Sequence, residues 1–93
     1  IDSSKGDPVA AIRDLTGGGA DYTFECVGNV AVIKQAMEAL GPGGALTIVG
    51  VPKVGSTYEF MVHALYQNKS IHGCRYGTAR PRRDFPILAE LYL

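Results

Sequence analysis

The chain has 93 residues, of which 46% are hydrophobic and 19% charged, so it predicts one small globular domain and excludes an intrinsically disordered segment. Nine Lys and Arg residues balance nine Asp and Glu residues, which argues against a nucleic-acid partner recruited by net charge. No apolar run approaches the ~20 residues of a membrane helix. Because a signal-peptide pattern is also missing, we expect a cytoplasmic protein without a membrane partner.

The two cysteines, Cys26 and Cys74, are far apart in the sequence and belong to no CxxC motif. Neither has a histidine pair at ligand spacing, so the sequence predicts neither a zinc site nor a disulfide framework. We interpret both as small, packed strand residues of a reducing compartment rather than as nucleophiles.

The first half of the chain predicts a helix, a strand and a second helix. Residues 7–15 begin with Asp as the N-cap and Pro in the first turn, and apolar residues follow at helical spacing. Residues 22–27 are rich in β-forming side chains and predict a strand buried on both faces. An asparagine then caps a helix predicted over residues 30–40, which ends at the glycine-rich turn 41–44.

The second half continues the alternation. Residues 45–51 are the clearest strand, and residues 59–67 and 70–74 predict a helix and a short strand. A loop is predicted over residues 80–84, followed by a helix from Pro86 onward that has no stop signal, so we expect a piece of a longer polypeptide. Alternating strands and helices predict an α/β fold with a parallel sheet.

The glycine clusters do not have the spacing of phosphate-binding motifs. Gly17–Gly19 and Gly41–Gly44 both precede strands, whereas an anion-binding loop follows a strand and opens a helix. Gly50 and Gly55 have the spacing of a Walker loop without its lysine. The sequence therefore predicts turns at these positions, and we expect the phosphate-anchoring half of any nucleotide site to lie outside this chain.

The three predicted strands end in segments that each contain a glycine, at residues 26–29, 49–52 and 74–77. Parallel sheets bind ligands at the carboxyl ends of their strands, so these segments are the main functional signal. Glu25, inside the first strand, is interpreted as the acceptor of a structural hydrogen bond. The arginines are assigned to a solvated loop rather than to an anion site, and they are Arg75, Arg80, Arg82 and Arg83.

Three strings in this sequence resemble the zinc-containing alcohol dehydrogenases of the medium-chain dehydrogenase/reductase superfamily. They are GGADYTFECVG at residues 18–28, GG and IVGVP within residues 43–52, and IHGCRYG at residues 71–77. The coenzyme domain of that family is a Rossmann sheet with strand order 3-2-1-4-5-6. The resemblance implies that residues 1–93 are strands four to six of this NAD(P)-binding domain with their flanking helices.

The resemblance also implies a set of coenzyme-binding residues. They are Cys26, Val27, Val49, Gly50, Val51, Cys74 and Tyr76. The first two would contact the adenosine ribose, while the Val49 and Cys74 carbonyls would accept hydrogen bonds from the nicotinamide carboxamide and the Tyr76 amide would donate one. Two acceptors and one donor hold the ring in the single orientation that hydride transfer requires.

By the same resemblance, the full-length parent would interconvert small alcohols and aldehydes by hydride transfer to or from NAD or NADP. Its catalytic zinc ligands and proton relay would lie outside this chain, which alone would be inactive. The glycine fingerprint and the acidic residue that would bind the ribose hydroxyls are missing here, so coenzyme preference is not encoded in these residues.

Two other hypotheses remain open. The Leu40–Gly44 turn before a strand is also typical of S-adenosylmethionine-dependent methyltransferases, whose last strands form an antiparallel hairpin, and a non-enzymatic interaction module would keep the fold without a coenzyme. A parallel last strand favours the dehydrogenase over the methyltransferase. We also expect a homo-oligomer formed through a sheet edge, at residues 22–27 or 71–74.

Overall fold

The computed structural model of the chain describes residues 1–75, 77 and 79–93. In chain order it contains α1 (Pro8–Thr16), β1 (Ala20–Glu25), α2 (Val30–Glu38), β2 (Leu40–Ile48), β3 (Ser70–Gly73) and α3 (Pro81–Tyr92). Short 3-10 turns occur at Ser3–Lys5 and Val62–Leu65. Tyr76 lies outside the described residues, and so does its predicted role. Within the described part of the chain, no helix is long and apolar enough to cross a bilayer.

The three strands form one sheet in the order β1-β2-β3, and both neighbouring pairs are parallel. Thr23 lies opposite Leu46, which in turn lies opposite Ile71. The predicted α/β class with a parallel sheet is therefore confirmed. The parallel β3 also contradicts the antiparallel ending that a methyltransferase would have.

Helix α1 begins and ends as its sequence predicts. The Asp7 carboxylate accepts a hydrogen bond of 2.9 Å from the Val9 amide, and Pro8 occupies the first turn, where its missing N–H leaves no carbonyl unpaired. Gly17 ends the helix in the left-handed conformation at φ 69°, which a residue with a side chain rarely adopts.

Arg13 ties α1 to the elements that follow it. Its Nη1 donates hydrogen bonds of 2.9 Å to the Glu38 carbonyl and 3.2 Å to the Leu40 carbonyl. These carbonyls lie where α2 ends and β2 begins, and helix ends leave such groups without partners inside the helix. Arg13 therefore fixes the corner between the second helix and the central strand.

The core lies on one face of the sheet, under α2. Ile33 and Met37 on that helix pack with Leu40 and Leu46 of β2, both of which are 0% exposed. Burial of this kind removes apolar area from water at about 25 cal/mol per Å². The helix is anchored at the same face by a 3.0 Å hydrogen bond from the Thr23 hydroxyl to the Ala36 carbonyl.

The opposite face of the sheet is uncovered at β1. Tyr22 and Phe24 are 72% and 65% exposed, because alternate residues of a strand point to opposite faces and α2 covers only the Thr23 side. The prediction that this strand is buried on both faces is therefore wrong for the chain as described. The strand also begins two residues earlier than predicted, at Ala20, and ends at Glu25.

The central strand starts earlier than its sequence suggests. Ala20 pairs with Leu40 and Tyr22 with Ala45. The register of the ladder therefore shifts at this point, and residues 41–44 of β2 form an irregular segment between the two pairs. The glycines predicted to be a turn after the helix thus lie inside β2, and the helix ends at Glu38 rather than at residue 40.

Two predicted helices have different bounds. The helix predicted over residues 59–67 is only the 3-10 turn Val62–Leu65, which has no side-chain cap and is too short to be stable by itself. The last helix begins at Pro81, so the loop predicted over residues 80–84 is wrong. Its start is stabilised because the Asp84 carboxylate accepts a 2.7 Å hydrogen bond from the Arg80 amide. Pro86 lies inside this helix.

Candidate functional site

The segments that follow β1 and β2, residues 26–29 and 49–52, are here called the first loop and the second loop. They touch through two glycines. A Cβ atom added to Gly50 would lie 2.2 Å from the Gly28 nitrogen, and one added to Gly28 would lie 2.6 Å from the Val51 carbonyl oxygen. No side-chain atom fits between the loops, so these glycines serve the contact between the loops.

Glu25, the last residue of β1, holds both loops. Its Oε1 accepts hydrogen bonds of 2.7 Å from the Val27 amide and 2.6 Å from the Gly28 amide. Its backbone carbonyl accepts bonds of 2.8 Å from the Val49 amide and 2.9 Å from the Gly50 amide. The prediction that this buried glutamate makes a structural hydrogen bond is confirmed, and the contact extends to two loops rather than one.

The second loop and the end of β3 form one groove. Val49, Val51, Cys74 and Arg75 line it, and its volume is about 510 Å³. The structure thus places both predicted carboxamide acceptors, Val49 and Cys74, beside the same hollow at the carboxyl edge of the sheet. Among the described residues, no hydrogen bond outside the strand ladders engages either of their carbonyl oxygens.

The other predicted coenzyme residues occupy different positions. Cys26 and Val27 are exposed on the first loop, and neither lines the groove of the second loop. Cys26 is therefore not the packed strand residue that its sequence suggested, because β1 ends one residue before it. Gly50 faces Gly28 at the contact between the loops.

The arginines do not form one cluster. Arg75 lines the groove, whereas Arg80, Arg82 and Arg83 lie at the start of α3. The pKa of Asp84 is lowered by the backbone hydrogen bond from Arg80 and then by the side chain of Arg83, whose Nε lies 2.9 Å from Oδ1. Arg80 and Arg83 therefore stabilise the start of α3, which is a structural role.

A second cavity of about 410 Å³ lies between α2 and the segment before β3. Burial, then the charge of Glu38, raises the pKa of Tyr58. Burial, then the charge of Arg13, lowers the pKa of Lys69. Sequence reasoning had not found this cavity, since its walls come from segments that are distant along the chain.

The described residues do not fit a metal ion. In the part of the chain that the structure covers, no group of three His, Cys, Asp or Glu side chains is placed to hold one. Their groove lies at the carboxyl edge of a parallel sheet, which is where such folds bind a nucleotide coenzyme, and Val49 and Cys74 both line it.

Comparison with known proteins agrees with this geometry. The whole chain, residues 1–93, matches the family described as zinc-binding dehydrogenase. It is 37% identical to the class-3 alcohol dehydrogenase of Cereibacter sphaeroides, over 95% of this chain and 25% of that protein.

Two solved structures share the fold. The benzyl alcohol dehydrogenase of Acinetobacter calcoaceticus superposes with a TM-score of 0.91 at 38% identity, covering 97% of this chain and 25% of that one. A zinc-binding dehydrogenase from Sinorhizobium meliloti 1021, bound to NADP, gives a TM-score of 0.89 at 28% identity, covering 100% of this chain and 28% of that one. The chain thus spans about a quarter of the length of these relatives. It belongs to the zinc-binding dehydrogenase family.

Proposed function

We propose that residues 1–93 are part of the NAD(P)-binding domain of a zinc-type alcohol dehydrogenase and bind the nicotinamide side of the coenzyme. The observation that carries this proposal is the groove that Val49 and Cys74 line together at the ends of neighbouring parallel strands. The NADP-bound relative supports the choice of coenzyme class.

The chain's own contribution is to orient the coenzyme. The Val49 and Cys74 carbonyl oxygens accept the two hydrogens of the carboxamide nitrogen, and the Tyr76 amide donates to the carboxamide oxygen. Because an amide group has distinct donor and acceptor sides, this pattern selects one face of the ring. When bound, the coenzyme supplies or accepts the hydride.

The remaining site residues have supporting roles in this proposal. Cys26 and Val27 offer exposed apolar and backbone groups to the adenosine ribose, and Val27 is 71% exposed. Val51 lines the groove, and Gly50 holds the second loop against Gly28.

In the complete enzyme we propose a small alcohol or aldehyde as the substrate, with zinc held by residues outside this chain. The chain supplies no catalytic residue. We also propose a reducing cytoplasm as its location, since both of its cysteines are free.

The test uses the full-length protein and follows nicotinamide fluorescence during titration with NADH and with NADPH. We expect saturable binding of at least one of them. An analogue whose carboxamide is replaced by an acetyl group keeps the acceptor oxygen but has no N–H groups. It is expected to bind about 10- to 100-fold more weakly, because two carbonyls lose their donors.

The outcomes separate the parts of the proposal. If neither reduced coenzyme binds, the dehydrogenase reading is wrong and the non-enzymatic interaction module replaces it. If the coenzyme binds and the acetyl analogue binds equally well, the coenzyme assignment stands, but the roles of Val49 and Cys74 as acceptors are wrong.

We further propose that the protein self-associates through a sheet edge, at β3 in the complete domain and at β1 or β3 when residues 1–93 are on their own. β1 and β3 are the outer strands of the sheet, and unpaired strand edges readily pair with another chain. The exposed Tyr22 and Phe24 beside the β1 edge add apolar area to such a contact. Sedimentation equilibrium measures the mass, and a monomer that persists at high protein concentration would contradict this proposal.

A further inference from the structure

Glu25 is the buried charged residue of the described chain, with only 1% of its surface exposed. We propose that it is the positioning residue of the coenzyme site, because it fixes the directions of the peptide groups in both loops. This inference rests on the proposed function and deepens it. It assigns a binding role to a side chain that does not itself touch the coenzyme.

The side chain sets the shape of the first loop. Three successive amides point at Oε1, with bonds of 2.7 Å from Val27 and 2.6 Å from Gly28 and a longer approach of 3.5 Å from Asn29. Hydrogen bonds to a carboxylate are about twice as strong as bonds between neutral groups. The bend is accommodated by Gly28, whose φ of 82° would be strained for any other residue.

The backbone of the same residue sets the second loop. The Glu25 carbonyl receives the amides of Val49 and Gly50, so the loop is aligned on the end of β1. Close contact between Gly28 and Gly50 completes the arrangement. A shift of Glu25 therefore moves both loops together.

Because a peptide unit is planar, a hydrogen bond to its N–H also sets the direction of its carbonyl group. The Gly50 N–H and the Val49 carbonyl belong to one trans peptide unit, so they point in opposite directions. The Gly50 N–H points at the Glu25 carbonyl of β1, so the Val49 carbonyl points away from β1. By the same geometry, Oε1 fixes the carbonyls of Cys26 and Val27, which share peptide units with the amides that it binds.

The arrangement uses one carboxylate oxygen. Among the described residues, Oε2 is buried without a hydrogen-bond partner. A glutamine has the same length and keeps one acceptor oxygen for the two amides. An aspartate is shorter by one carbon–carbon bond, about 1.5 Å, and cannot make bonds of this length without moving the loop. Binding is therefore expected to depend on length and acceptor character rather than on the second oxygen.

The test compares four variants of the full-length protein by NADH titration and by amide hydrogen exchange. Glu25→Ala and Glu25→Asp are expected to weaken NADH binding about 10- to 100-fold, since the Val27 and Gly28 amides lose their acceptor and the loop is no longer held in its binding conformation. Glu25→Gln is expected to stay within about threefold of wild type, because its oxygen still accepts both amides.

Thr23→Val is the matched control. It removes the half-buried hydrogen bond from Thr23, in the same strand as Glu25, to the Ala36 carbonyl of α2, and it removes no hydrogen bond of the two loops. Its NADH affinity is expected to be unchanged within about threefold, because the Thr23 hydroxyl bonds α2 and neither loop. Exchange at the Val27 and Gly28 amides is expected to accelerate in Glu25→Ala and not in Thr23→Val, which a general loss of stability would not reproduce.

Each outcome bears either on the proposed function or on the positioning role of Glu25. Wild-type protein that fails to bind either coenzyme overturns the proposed function and this inference together. Wild-type binding with normal affinity in Glu25→Ala overturns only the positioning role. If Glu25→Ala does not fold, the comparison of Glu25→Gln with Glu25→Asp decides, and equal affinities in that pair overturn the role.

Discussion

Replacing Gly50 by alanine tests the contact between the two loops. The added methyl carbon would lie 2.2 Å from the Gly28 nitrogen, whereas ordinary van der Waals contact begins near 3.4 Å. The loops must therefore separate by about 1 Å, and overpacking of this kind costs about 1–3 kcal/mol. Gly50 does not have a left-handed φ, so the effect is steric rather than conformational.

The expected result is a loss of coenzyme affinity along with the loss of stability. Because both loops belong to the proposed coenzyme site, their separation is expected to weaken NADH binding about 10- to 100-fold. NADH titration of the full-length protein measures the affinity, and chemical denaturation measures the free energy of unfolding. Gly73→Ala is the control, because Gly73 is in β3, near the same sheet edge, and an added Cβ meets no atom within 4 Å.

Gly50→Ala with wild-type affinity and stability would refute the claim that the two loops are packed glycine against glycine. A loss of similar size in Gly73→Ala would refute it as well, because any methyl group at this edge would then have the same effect.

Two further predictions concern stability. Arg13→Met is expected to lower the free energy of unfolding by about 1–2 kcal/mol, because the hydrogen bonds to the Glu38 carbonyl at the end of α2 and the Leu40 carbonyl at the start of β2 are lost; an unchanged denaturation midpoint would contradict this. The pKa of Asp84 is lowered in the folded protein by the amide of Arg80 and the side chain of Arg83, so its stabilisation is complete above its unfolded value of 3.8. That stabilisation is lost as the pH falls through the lower folded pKa. Asp84→Asn is expected to weaken this acid dependence, measured as helix content against pH, and an identical profile in the variant would disprove it.

The parts of the fold that were predictable from sequence are those set by local chemistry. Asp7 with Pro8 specifies a helix start, and Asn29 caps the second helix as expected, with 2.8 Å to the Ala31 amide. The alternation of helices and strands predicts the parallel sheet. In each case the deciding contacts join residues that are close along the chain.

The parts that were not predictable depend on distant contacts. The start of β2 at Leu40 is set by pairing with Ala20, which no local pattern records. The last helix was predicted from Pro86 onward, but it begins at Pro81, where the Asp84 carboxylate accepts a hydrogen bond from the Arg80 amide.

The candidate site also has parts that the sequence predicts and parts that depend on distant contacts. Glycine at the strand ends was visible in the sequence, but the contact between Gly28 and Gly50 was not, because it joins loops that are 22 positions apart in numbering. The sequence predicted a structural hydrogen bond to Glu25 but not its partners, which are the amides of two loops. The signal in the sequence is the position of Glu25, which directly precedes a short segment with Gly28 and the helix cap Asn29. A carboxylate at that position can accept hydrogen bonds from successive amides of the segment.

Pro86 determines how α3 melts. With no N–H, it leaves the Arg82 carbonyl without its helical partner, and none of the helix is buried against the sheet. The helix therefore lacks one hydrogen bond at this turn, and the Asp84 contacts stabilise only its first turn. On warming, the turn that contains Pro86 is therefore expected to open more readily than a helical turn that has all of its hydrogen bonds.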